Sequence, residues 1–197
     1  PAGFGPPAHL PAAGDMTAEA RNGELPGNPM MWILIGSETA VFGAALLGFA
    51  GARLLHPDMF AEGQATLDKT AGAINTAVLL TSGLFAALAV EWRRQDRRGA
   101  ARLTLLASGL LGLVFAAVKI SEYSVKFEAG IGMETSTFYT LYFLVTGFHL
   151  LHVFAGLMIL AIVARWDSLE NLETGAAFWH MVDMIWVLIF PIIYIVG

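Results

Sequence analysis

Five stretches of this chain, at about residues 29–55, 70–91, 101–127, 135–165 and 175–197, are apolar over a length that crosses a bilayer. About 20 residues rising about 1.5 Å each cover the hydrocarbon core, and inside it a helix satisfies its own backbone polar groups. With 56% hydrophobic and 14% charged residues among 197, the chain reads as an integral membrane protein. It is too short for two sizeable domains, so the expected fold is all-α, a bundle of five transmembrane helices over residues 29–197. Residues 1–28 hold five of the eight prolines. They are expected to form a flexible extramembrane arm able to dock on a partner, and Asn28 before Pro29 reads as a helix start.

The fourth run carries the densest information. Phe138, Tyr142, Val145, His149, His152 and Gly156 recur at spacings of four and three and therefore line one face of one helix. That face is expected to meet protein, because an imidazole turned to lipid leaves polar nitrogens without partners. In the first run Gly36, Ala40, Ala44 and Gly48 repeat every four residues, a small-residue ridge that lets membrane helices touch closely. Glu38 points away from that ridge and has no partner on its own helix. It can meet a group outside the chain, take up a proton, or sit as a neutral carboxyl bonded to a neighbour.

Charge sets the orientation. Arg93, Arg94, Arg97, Arg98 and Arg102 are five of the eleven basic residues and crowd one loop, which the positive-inside rule places in the cytoplasm. The N-terminus is then cytoplasmic and the C-terminus outside. Counting at about 1.5 Å per residue puts Glu38, His180 and Asp183 roughly 8 to 13 Å from the cytoplasmic ends, and Lys119, Glu122 and His149 roughly 25 to 30 Å away. His152 lies between these two layers. Trp92, Trp166 and Trp179 read as interface anchors, and Pro191 should bend the last helix.

Several functions are set aside or weighed at this stage. The net charge of -5 is spread over loops and gives no footprint for nucleic acid. The absence of cysteine excludes disulfides, thiolate metal sites and cysteine nucleophiles, and no secretory leader is read. Lys119 and Glu122 can neutralise one another or meet headgroups, and His180 with Asp183 can be a structural hydrogen-bonded pair. His149 and His152 share a helix and cannot clamp one haem from both sides, and the histidines do not converge on a metal.

The stretches WILIGSETAVFGAALLGF, INTAVLLTSG, KISEYSVKFEAG, TGFHLLHVFAG and FWHMVDMIWVLIFPIIY stand in an order that resembles subunit III of the haem–copper oxidases, from about residue 29 to the end. The chain is similar to the short form lacking the first two of seven helices, and KISEYSVKFEAG is also similar to a branch that accompanies bacterial nitric oxide reductases. The resemblance implies an accessory, non-catalytic subunit in a bacterial inner membrane. It would carry no cofactor or metal of its own, while haem, with or without copper, sits in a partner catalytic subunit. Bound phospholipid and support of proton uptake are implied too. The family's landmark positions fall on Glu38, on Glu122 with Tyr123 following, on His149 and His152, and on His180 and Asp183. Two readings from other classes are a small proton-coupled carrier using Glu38, Asp183 and His180, and a haem-binding membrane cytochrome.

Overall fold

The computed structural model describes residues 29–166 and 168–196. The expected N-terminal arm and the Asn28 cap lie outside them. Five helices are long and apolar enough to cross a membrane, as the hydropathy pattern requires, and there is no strand among the described residues. They are α1 (Pro29–Leu55), α3 (Lys69–Arg94), α4 (Arg98–Glu128), α5 (Thr137–Arg165) and α6 (Leu169–Phe190). A short helix, α2 (Pro57–Ala65), occupies what reads in the sequence as a plain loop.

The helix starts follow local chemistry. The side chains of Asp68, Ser136 and Ser168 accept from the backbone N–H three residues on, at 2.9, 3.4 and 3.2 Å, which satisfies one of the donors each helix start leaves open. Among the described residues two adopt a left-handed backbone, Asp96 with φ 55° in the tight α3–α4 turn and Gly130 with φ 75° just beyond α4. Pro191 has no N–H for the α-helical ladder, and the chain answers by widening into a π-turn over Pro191–Ile195. Val196 N–H closes it on the Pro191 carbonyl at 2.8 Å.

Close approach of helices depends on glycines under aromatic rings. A Cβ on Gly112 or Gly156 would meet the Trp179 ring at 2.7 or 2.6 Å. Trp179 is therefore fully buried, with its indole N–H donating to Ser82 Oγ at 3.0 Å. This corrects the expectation of an interface anchor: a tryptophan near a helix end is drawn inward when two facing glycines leave a slot for it. Trp166 is exposed, and the Arg97 guanidinium lies 4.6 Å from the Trp92 ring centroid.

The short polar residues of the second run stitch helices together. Asn75 donates to the Phe115 carbonyl at 3.2 Å, Ser82 to the Ser108 carbonyl at 2.7 Å, and the Trp186 indole to Thr76 Oγ1 at 2.9 Å. These bonds tie α3 to α4 and to α6. At the far end α2 folds back over the exit of the last helix, where Gln64 donates to the carbonyls of Ile193 and Val196 at 2.8 and 3.1 Å. Arg53 of α1 also donates to the Val196 carbonyl. Three rings, Phe49, Phe60 and Phe138, pack edge to face beneath α2 with centroids 5.1 to 6.0 Å apart.

The outermost helix is α1. It packs on α5 and α6 through Phe42, Leu46 and Phe49, whereas Gly36, Ala40, Ala44 and Gly48 are all exposed. Nothing comes within 4 Å of a Cβ built on Gly36 or Gly48. The ridge thus packs against no other described helix of this chain.

Candidate functional site

The polar interior has three parts. The first lies at the end of the bundle away from the arginine loop and is built from α4, α5 and the π-turn. Lys119, 1% exposed, donates to Glu122 Oε2 at 3.0 Å, to Tyr142 Oη at 3.2 Å and to Tyr194 Oη at 2.7 Å. Both phenols pass their own hydrogens to Glu122 Oε1, at 2.6 Å from Tyr142 and 2.8 Å from Tyr194. The ammonium's three donors and the carboxylate's acceptors are thereby used within one closed ring. The rings of Tyr123, Tyr142, Trp186 and Tyr194 have centroids 5.0 to 5.4 Å from Lys119 Nζ and add cation–π attraction. Tyr123 turns its hydroxyl aside to Thr146 Oγ1 at 2.7 Å. Burial of Lys119 removes the headgroup alternative and leaves mutual neutralisation.

A second lysine stands beside this ring. Lys126 is 6% exposed and donates to the Thr66 carbonyl at 3.5 Å, and its ammonium lies 5.6 Å from the Tyr142 ring centroid.

The second part joins α1 to α5. His152 Nδ1 lies 2.8 Å from the Phe148 carbonyl, an oxygen that can only accept, so that nitrogen carries the hydrogen. His152 Nε2 then faces Glu38 Oε2 at 3.1 Å. The atoms are at ion-pair distance without the alignment of a hydrogen bond, and Glu38 Oε2 is otherwise unpartnered among the described residues. The contact brings an acid and an imidazole from two helices face to face. Glu38 therefore has a partner inside the chain, and the helix count that set it in a different layer from His152 is corrected.

His149, one turn away, behaves as an aromatic. It is fully buried, stacked on Trp186 at 5.1 Å with edge contacts to Phe115 and Phe42, and neither ring nitrogen has a hydrogen-bond partner among the described residues. Along the predicted face, Phe138, Tyr142, Val145, His149 and Gly156 are buried and His152 nearly so, in agreement with a surface turned to protein.

The third part pairs α6 with α3. Asp183 sits against Gly83, where a Cβ would collide with its carboxyl, and His180 Nδ1 is 3.9 Å from Asp183 Oδ2. That distance is too long for the hydrogen bond expected between them.

Among the described residues no group of three or more metal-type side chains gathers. Tyr194 and Trp186 belong to the first part and were not singled out by sequence reasoning. Trp186 lies six residues from His180 on an apolar helix, and the direction of Tyr194 depends on the π-turn after Pro191.

Fold and site together define an all-α, multi-pass membrane protein with a buried Lys119–Glu122 pair tied to two helix-borne phenols. Residues 63–197 match the family described as Cytochrome c oxidase subunit III. A cytochrome c oxidase subunit 3 from Thermostichus vulcanus is 30% identical over 173 residues, covering 83% of this chain and 84% of that protein. A heme-copper oxidase subunit I+III from Aeropyrum pernix is 28% identical over 186 residues; the match takes in 84% of this chain but 22% of the longer protein. A cytochrome bo(3) ubiquinol oxidase subunit 3 from Pseudomonas aeruginosa is 30% identical over 132 residues and 63% of each chain. The chain belongs to the cytochrome c oxidase subunit III family.

Proposed function

We propose that this chain is an accessory component of a respiratory haem–copper oxidase in a bacterial inner membrane, with no haem or copper of its own. It seats against the catalytic haem-carrying subunit and supports assembly, phospholipid binding and proton uptake. The arginine loop faces the cytoplasm and the C-terminus the opposite side. The observation that carries this reading is the bare face of α1. Gly36, Ala40, Ala44 and Gly48 form a small-residue stripe with no other described helix against it, the surface that a second transmembrane helix packs on most closely. The occurrence of a single polypeptide named heme-copper oxidase subunit I+III supports a neighbouring subunit I.

Gentle detergent purification of the tagged chain tests the proposal. A haem-containing subunit should accompany the wild-type protein and give a visible spectrum, and Gly48→Leu should reduce its yield while leaving helix content intact. A colourless, partnerless preparation from respiring cells refutes it. Because Glu38 faces His152 at 3.1 Å inside the bundle, Glu38→Gln should lower turnover or shorten the working life of the complex without preventing assembly. Unchanged turnover and lifetime remove Glu38 from proton uptake.

A further inference from the structure

The acid on α6 plays no part in the reading above. Asp183 has a side chain only 5% exposed, and neither carboxyl oxygen has a hydrogen-bond partner among the described residues. His180 Nδ1 lies 3.9 Å from Asp183 Oδ2. The seat exists because Gly83 has no side chain: a Cβ there would occupy the position of Asp183 Oδ2 and lie 3.3 Å from His180 Nδ1. His180 is placed differently. Its side chain is 42% exposed and lines a hollow of about 450 Å³ between α1, α3 and α6, walled by Trp32, Val90, Arg94, Glu173 and Met184. Arg94 and Glu173 form an ion pair of 2.9 Å there, with side chains 52% and 21% exposed. The hollow therefore leads from a polar, half-exposed end of the bundle to an imidazole, and that imidazole lies 3.9 Å from a buried carboxyl.

We infer that Asp183 is a proton-binding site, filled from the Arg94 end of the bundle through His180. A bare carboxylate with no donor at either oxygen is far costlier in such surroundings than the neutral acid. An imidazole can take a proton at one nitrogen and release one at the other, which suits the single group standing between hollow and acid. The charged groups around the route are few. On α6 they are His180 and Glu173; on α3, Arg94 lies eleven residues from Gly83, about 16 Å along the helix, and is engaged by Glu173. On α1, Glu38 is engaged by His152. Since neither oxygen has a hydrogen-bond partner among the described residues, no onward acceptor is bonded to the acid and the proton leaves as it came. Asp183 stores a proton inside the bundle and does not relay it, and the site is separate from the Glu38–His152 pair.

Infrared spectroscopy of the full chain, purified with the subunits that accompany it, tests this directly. Wild type at neutral pH should show the C=O stretch of a protonated carboxyl that shifts on transfer to D2O. Asp183→Asn should lose this band and Glu38→Gln should keep it. His180→Phe should keep the band but slow its deuterium shift on the order of a hundredfold, the lower end of what a positioned proton-transfer group contributes. If Asp183→Asn does not fold, Gly83→Ala decides, because the added methyl must displace the carboxyl and move the band's frequency. A spectrum unchanged in Asp183→Asn, or in a folded Gly83→Ala, overturns the site. An unaltered exchange rate in His180→Phe overturns the route.

Discussion

Lys119→Met removes the cation from a carboxylate that is 19% exposed and keeps two phenol donors, Tyr142 at 2.6 Å and Tyr194 at 2.8 Å. Stripping one partner from a buried ion pair costs about 3–5 kcal/mol, because the charge left behind is uncompensated. Each remaining hydrogen bond to charge is worth about 1.5–3 kcal/mol, and these bonds hold the loss to the lower end. Lys119→Met should therefore destabilise the bundle by about 3 kcal/mol. Glu122→Gln should cost a similar amount, since it leaves the ammonium buried among four aromatic rings. The double variant neutralises both sites together and should cost well under the sum of the two. The assay is reversible unfolding in mixed micelles followed by helix content, arranged as a double-mutant cycle. Hydrogen-bond couplings between membrane helices average about 0.6 kcal/mol, so a coupling above about 1.5 kcal/mol distinguishes a closed charged ring from ordinary contact. A Lys119→Met protein within about 0.5 kcal/mol of wild type, or additive single effects, refutes the reasoning.

Two further outcomes follow from packing. Gly112→Ala and Gly156→Ala each press a methyl into the Trp179 ring and should cost about 1–3 kcal/mol in the same unfolding assay, with an altered Trp fluorescence spectrum; Gly36→Ala, which meets nothing within 4 Å, should stay within about 0.5 kcal/mol in the isolated chain. Gln64→Ala frees the Ile193 carbonyl and leaves that of Val196 to Arg53, so amide exchange in the last turn should speed up by roughly a factor of ten, the equivalent of about 1.4 kcal/mol of hydrogen bonding.

The face of α5 was legible because its spacing is local. Residues three and four apart share a side of any helix, so the burial of Phe138, Tyr142 and His149 follows once one of them turns inward. The pairing of Glu38 with His152 was not legible. Counted from their helix ends, the two differ by roughly 6 Å in depth, and their contact requires α1 to be tilted or offset against α5. Tyr194 was hidden for another reason, because its position depends on how the backbone absorbs the lost N–H of Pro191.

The sequence by itself determined the number of crossings, their approximate ends and the family, since each depends on run length or ordered blocks. Tertiary structure alone decided that Glu38 meets His152, that Trp179 is buried and that the α1 ridge stays bare. Relative rotation, tilt and depth of membrane helices come from the fit of rings over glycines such as Gly83, Gly112 and Gly156. Lipid surrounds an apolar helix equally well at any rotation, so that information is carried only by the packed faces.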